Sequence, residues 1–147
     1  MIQQLIETNT SYICLFLRVI TGIIIFPYGM AKLFGWFDGP GISGTHEQMR
    51  SKNIPWFIGW LIIIGQSFGS VALILGLFGR IAAGGNFIIF TGALIVHSPD
   101  GWFLNWFGKK KGEGIEYFII LLSMLLVITI NGSGAFSIDQ WLMTRLL

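Results

Sequence analysis

Long apolar stretches alternate with short polar segments along the whole chain. A helix rises about 1.5 Å per residue and a bilayer core is about 30 Å thick, so stretches of roughly 20 apolar residues can cross a membrane. Short connections between such helices favour antiparallel neighbours. The pattern therefore predicts an all-α protein, a transmembrane four-helix bundle formed by one domain over residues 1–147, with spans at residues 12–34, 56–78, 81–98 and 115–130.

The segments between the spans are rich in glycine, proline and tryptophan. Residues 35–55 are predicted to form a loop with at most a short amphipathic turn at residues 45–52. The three lysines at positions 109–111 suit anionic lipid headgroups. After the fourth span, residues 138–145 predict a short amphipathic C-terminal helix at the membrane surface.

One face of the first span combines basic and very small residues. Arg18, Gly22, Ile25, Gly29 and Lys32 follow one another at steps of four, three, four and three, which places them on one side of a helix. A charge inside a membrane segment costs about 2.5–3.5 kcal/mol on insertion scales. This side is therefore expected to face other helices or a watery cavity.

The second span is interrupted by small and polar residues. Gly65 and Gly69 have the spacing that lets two helices approach closely. Gln66 falls between them near mid-depth, where an unpaired amide would cost several kcal/mol. Gly22, Gly29, Gly65 and Gly69 are therefore predicted to be helix-packing positions, and Gln66 to have a partner or a ligand.

The composition supports a membrane protein and excludes several functions. The chain is 54% hydrophobic and 11% charged, whereas soluble domains have about 25% charged residues. The net charge of +2 is too small and too scattered to indicate nucleic-acid binding. The single cysteine, Cys14, excludes a disulfide within the chain and a multi-cysteine metal site, and no metal site is predicted. The first eleven residues contain no lysine or arginine, so no cleavable signal peptide is expected.

Alternating spans bring a set of titratable groups to one side of the bundle. This side receives Lys32, His97, Asp100 and Glu116, with Gln66 deeper. Such a mouth could bind a polar head group or exchange protons. The alternative is that these groups serve packing, with Lys32 and Glu116 as an interhelical ion pair and His97 as a cap. Arg18, Arg80 and Asp139 fall towards the opposite side and are assigned structural roles.

No redox cofactor is encoded by the sequence. His97 is the only histidine at membrane depth, because His46 falls in the predicted loop, so a haem held by two histidines cannot be built within one chain. There is also no cysteine cluster and no glycine-rich nucleotide-binding unit. If electrons pass through this protein, a quinone or a partner protein has to carry them.

These motifs together resemble the DoxX family of membrane proteins. The resemblance rests on Leu17-Arg18, Tyr28–Phe37, Gly65–Arg80, His97 with Pro99 and Gly101, Glu116, and Ser137–Asp139, in that order. It implies a four-helix membrane bundle associated with quinone-linked oxidoreductase complexes, including thiosulfate and quinol oxidation. One position departs from the family pattern, because Gln66 stands where glutamate is usual; its neutral amide keeps hydrogen bonding and loses the charge.

The leading hypothesis is a subunit of a quinone-linked oxidoreductase complex in a bacterial inner membrane. Lys32 and His97 would hydrogen-bond the quinone oxygens, and Glu116 would exchange protons; no catalytic residue is identified. The expected partners are membrane lipid, redox proteins and further copies of the chain, and not nucleic acid. A non-catalytic scaffold or a carrier of lipids or small molecules is the alternative, and a small transporter is a weaker third hypothesis, because no internal repeat is visible.

Overall fold

The computed structural model describes residues 2–109 and 114–146 and contains only helices, turns and loops in these ranges. Lys110 and Lys111 of the predicted lipid-binding cluster lie outside the described residues. The predicted all-α class with a short C-terminal helix is confirmed. The helices are α1 (Ile2–Ile6), α2 (Tyr12–Phe34), α3 (Gly41–Ser51), α4 (Trp56–Leu75), α5 (Gly79–His97), α6 (Ile115–Asn131) and α7 (Ile138–Leu146), with 3₁₀ turns at Trp36–Asp38 and Ser98–Asp100.

Four long helices form the bundle, and each packs against two others. Helix α2 contacts α4 and α6, and α5 contacts α4 and α6, so the helices close a ring. Three segments are long and apolar enough to cross a membrane, namely Tyr12–Phe34, Trp56–Leu75 and Gly79–Asp100. Helix α6 has 17 residues, which is the lower end of the range for a membrane span.

The connection between α4 and α5 is tighter than the sequence predicts. Helix α4 ends at Leu75, three residues before the predicted end, because Gly76 adopts a left-handed conformation (φ 70°) that closes the helix. Phe78 is also left-handed (φ 47°), and α5 then begins at Gly79. The apolar residues Leu77 and Phe78 extended the hydrophobic pattern into the turn, so the predicted limits at 78 and 81 were wrong. The other span limits differ by at most one residue.

The prediction of a loop over residues 35–55 was wrong. Helix α3 occupies eleven of these residues and packs against α2 and α4. Its Thr45 is fully buried and donates to the Gly41 carbonyl at 2.7 Å, and its His46 ring meets the Trp60 ring of α4 edge-on at 5.2 Å. Tertiary contacts therefore form a helix where glycine and polar residues give little intrinsic tendency for one.

The two glycines on the small and basic face of α2 lie against α4. A Cβ atom on Gly29 would lie 2.6 Å from the backbone of Gln66, and one on Gly22 would lie 2.9 Å from the Ser70 carbonyl oxygen. The absence of side chains at both positions lets the two backbones approach closely. Gly65 and Gly69 lie at the next interface, where α4 meets Ile89 and Asn86 of α5.

Arg18 ties together the end of the bundle at which α4 ends. Its side chain is 1% exposed, and its guanidinium donates to five carbonyl oxygens at 2.6–3.1 Å. Two of these carbonyls end α4, and three belong to the loop before α7; they are those of Leu73, Ile74, Ser133, Ala135 and Phe136. The positive group thus lies at the negative end of the α4 dipole.

Asp139 makes the complementary contact at the start of α5. Its carboxylate accepts from the backbone N–H groups of Phe78 at 2.7 Å and Gly79 at 2.9 Å, and from the Ser133 hydroxyl at 2.5 Å. Negative charge is favourable at a helix N-terminus. Buried Asp139 therefore fixes α7 to the bundle. The amphipathic pattern alone did not predict this attachment.

Candidate functional site

A cavity of about 450 Å³ lies at the other end of the bundle, between α2, α4, α5 and α6. Helix α3 covers one side of it through Gln48 and Met49. Most of the wall is aliphatic or aromatic. The residues with polar groups on the wall are Tyr28, Lys32, Gln48, Lys52, Gln66, His97 and Tyr117. A pocket of this size with few polar groups is typical of a site for a small apolar molecule.

Gln66 is the deepest of these polar residues in α4. Its side chain is 3% exposed, lies on the cavity wall and makes no hydrogen bond within the described part of the chain; its Oε1 atom is fully buried. A buried amide without partners costs a few kcal/mol. The position therefore favours a ligand that exchanges hydrogen bonds with this amide.

Lys32 reaches the cavity from the last turn of α2. Its ammonium lies 5.7 Å from the centre of the Tyr28 ring, one turn earlier on the same helix. Among the described residues it has neither an ion pair nor a hydrogen bond, so the alternative of a Lys32–Glu116 ion pair is wrong. Aromatic contact stabilises such a cation only modestly, which leaves the ammonium available to a ligand.

His97 is oriented by two contacts at the end of α5. Its Nδ1 lies 2.7 Å from a carboxylate oxygen of Asp100, and its ring stacks on Phe118 with 5.5 Å between the centres. Because a carboxylate only accepts, Nδ1 carries the shared proton, and Nε2 is the nitrogen available for proton exchange. Asp100 contributes to the site by holding His97, and is not itself on the cavity wall.

The structure brings together only part of the predicted constellation. Lys32, Gln66 and His97 share the cavity wall, whereas Glu116 is half-buried and lies outside it. Glu116 is the second residue of α6, and its backbone N–H donates to the Trp102 carbonyl at 3.0 Å. Its proton-exchange role stays a prediction. Arg18, Arg80 and Asp139 lie away from this cavity, and Arg80 donates to the Glu7 carbonyl at 2.9 Å.

Sequence reasoning missed several residues of the wall. Tyr28 precedes Lys32 by four residues. This helical spacing was a signal that could have placed Tyr28 on the same face as Lys32. Tyr117 and Phe118 directly follow Glu116 and face the cavity in its place. Gln48 and Lys52 gave no signal, because the segment that holds them was predicted to be a loop.

The cavity opens sideways between α4 and α5. The two helices are in close contact where the Asn86 amide donates to the Gly65 carbonyl at 2.9 Å. Beyond this contact, both helices line the cavity. Three of the lining residues of α5 are also exposed on the protein surface, namely Ile88, Gly92 and Val96. Ile88 is 73% exposed. This surface is apolar and belongs to a helix that is long and apolar enough to cross a membrane, so lipid is the expected surrounding of the opening.

The geometry thus defines an integral membrane protein with a ligand-sized cavity that is open to the bilayer. The sequence model of the DoxX family matches residues 13–99 of this chain. The chain therefore belongs to the DoxX family. The family resemblance seen in the motifs is confirmed.

Two relatives are similar over most of their length. The Bacillus subtilis (strain 168) protein named "Putative oxidoreductase CatD" is 29% identical over 127 residues, covering 86% of this chain and 84% of the relative. The Escherichia coli (strain K12) protein named "Inner membrane protein YqjF" is 27% identical over 129 residues, covering 82% of this chain and 92% of the relative. No solved structure matches the chain.

Proposed function

We propose that this protein is the quinone-binding subunit of an oxidoreductase complex in a bacterial inner membrane. The observation that carries the proposal is that Gln66 and Lys32, on the wall of a mostly apolar cavity, make no side-chain hydrogen bond or ion pair within the described part of the chain. A quinone dissolves in the membrane and presents two carbonyl oxygens on a flat apolar ring. The names of the two relatives support the redox role and the inner membrane.

The ring would lie among the aromatic side chains at the closed side of the cavity. Tyr28 and Tyr117 have ring centres 6.1 Å apart, and Tyr117 and Phe118 have ring centres 5.3 Å apart. Aromatic rings favour offset or edge contacts with another flat ring at such distances. Lys32 and Gln66 would donate to the quinone oxygens, and the isoprenoid tail would leave between α4 and α5.

Reduction of a quinone takes up two electrons and two protons. Nε2 of His97 is placed to exchange protons, because Asp100 occupies Nδ1. A redox partner protein would supply the electrons. Association with further copies of this chain is part of the same proposal.

Gly92→Leu tests the cavity and its lateral opening. A Cβ atom on Gly92 meets no other atom within 4 Å, so leucine fits without a clash and projects into the opening. We expect the affinity for a short-tailed naphthoquinone, measured by calorimetric titration in detergent, to fall at least about tenfold. The melting temperature should stay the same or rise slightly, since leucine favours a helix more than glycine does.

Gly85→Leu is the matched control for this substitution. Gly85 lies two turns earlier on the same helix, also has open space around it, and is not on the cavity wall. It should leave quinone affinity unchanged. Equal affinity of the Gly92→Leu and Gly85→Leu variants would rule out ligand binding at this cavity.

The scaffold alternative makes a different prediction about stability. If the polar groups served packing, removal of Lys32 would lower the melting temperature. Since Lys32 has no polar partner in the described ranges, the proposed binding role predicts almost unchanged melting for Lys32→Met.

A further inference from the structure

We propose that the ring bound in this cavity carries an ionised hydroxyl, as in a hydroxyquinone, and that Lys32 pairs with it. The inference rests on the proposed function and specifies its ligand class. It follows from the charged side chains on the described part of the cavity wall, which are both lysines.

The charged side chains on the described part of the cavity wall are lysines. Lys32 and Lys52 are both there, whereas no aspartate or glutamate of the described residues lines the cavity. Asp100 is not on the wall, and its carboxylate is bound to the wall residue His97. An electron-rich or anionic ligand is therefore favoured over a cationic one.

The two lysines differ in their position. Lys32 is half-buried and lies among aromatic residues, while Lys52 directly follows α3 and is exposed. A half-buried ammonium has lost part of its hydration, and a negative charge stabilises it more than a neutral acceptor does. A neutral carbonyl would give Lys32 a hydrogen bond but would leave its charge unbalanced. Lys52 is placed to attract an anion to the mouth of the cavity.

The aromatic residues select the shape of the anion. The Tyr28 ring lies beneath the Lys32 ammonium, and the stacked pair of His97 and Phe118 borders the same cavity. A flat acidic ring can contact these rings and the ammonium together. A single apolar substituent on such a ring fits the gap between α4 and α5.

A pair of matched probes tests the inference. One probe is a 2-hydroxy-3-alkyl-1,4-naphthoquinone, whose hydroxyl is ionised at neutral pH; the other is its 2-methoxy ether, which has the same ring and tail and no charge. We expect the wild-type protein in zwitterionic nanodiscs to bind the hydroxy compound at least about tenfold more tightly. Lys32→Met should remove this preference, so that the variant binds the two probes with affinities within about twofold of each other.

Two further variants separate local pairing from general attraction. Lys52→Met should weaken binding of the hydroxy compound mainly at low salt, since its exposed charge is screened by ions. Lys109→Met removes an exposed lysine that is not on the cavity wall, and should change neither affinity. The comparison of the two probes on the wild-type protein does not depend on any variant being folded.

The outcomes distinguish this inference from the proposed function. Equal binding of the two probes would overturn the ionised hydroxyl and keep the quinone site. Binding of neither probe would overturn both proposals. Displacement of the hydroxy compound by phosphatidylglycerol in the nanodisc, dependent on Lys32, would show that a lipid phosphate is the anion and would overturn the assignment to a ring.

Discussion

Arg18→Met is expected to destabilise this protein more than any other substitution considered. The guanidinium is almost completely buried and donates to five carbonyl oxygens from two separate segments. Methionine fills similar space but donates nothing, so several buried carbonyls would lose their partner at about 1–3 kcal/mol each. We expect a loss of at least about 3 kcal/mol, seen as a large drop in melting temperature in detergent.

Arg80→Met is the control for the loss of an arginine at the same end of the bundle. Arg80 is half-buried and donates one hydrogen bond, to the Glu7 carbonyl. It should lower the melting temperature only slightly. Arg18→Lys should fall between the two, since it keeps the charge and loses the fixed fork of five donors. If Arg18→Met melted like Arg80→Met, the hydrogen bonds to the end of α4 would not stabilise the fold.

Arg18 and Asp139 also explain why the two ends of the bundle differ. At the Arg18 end, oppositely charged side chains bind the end of α4 and the start of α5, and their hydrogen bonds are made within the protein. At the cavity end, Gln66 and Lys32 have no such partners among the described residues. The hydrogen bonds at the Arg18 end therefore stabilise the fold, whereas the polar groups at the cavity end remain able to bind a ligand.

The helical spans could be predicted because burial and membrane exposure both depend on the period of the helix. The face of Arg18, Gly22, Gly29 and Lys32 followed from spacing alone, and its two glycines lie against α4. Helix α3 could not be predicted, since it depends on contacts with α2 and α4 that its own sequence does not show. The early end of α4 depends on one left-handed glycine, Gly76, within an apolar stretch.

The candidate site was predicted in part for the same reasons. Lys32, Gln66 and His97 meet because antiparallel spans bring their ends together, whatever the details of packing. Glu116 was expected beside them, but one residue turns a helix by about 100°, and Tyr117 and Phe118 face the cavity. Lys52 was missed because α3 was missed. Helix rotation and tertiary docking are therefore the two features that the sequence pattern does not determine here.

Gly29→Ala is expected to separate α2 from α4 and to weaken ligand binding at the same time. The added Cβ atom would lie 2.6 Å from the carbonyl carbon and oxygen of Gln66 and from the Cα of Ser67. These are backbone atoms, which cannot rotate away as the end of a side chain can. Overpacking of this kind typically costs about 1–3 kcal/mol, and here the displaced residue is Gln66, whose amide lies on the cavity wall.

The measurements for Gly29→Ala are the melting temperature in detergent and the affinity for the short-tailed naphthoquinone. Gly85→Ala, made in open space on α5, is the control and should be neutral or slightly stabilising, because alanine favours a helix over glycine. Gly22→Ala should be milder than Gly29→Ala, since its closest contact is the movable Ile74 side chain and its closest backbone atom, the Ser70 carbonyl oxygen, lies at 2.9 Å and not at 2.6 Å. If the Gly29→Ala variant kept both its melting temperature and its affinity for the naphthoquinone, the backbones of α2 and α4 would not be in close contact at this position. A fall in both quantities would show that the close contact of these two helices sets the position of Gln66, and so links the stability of the bundle to its binding site.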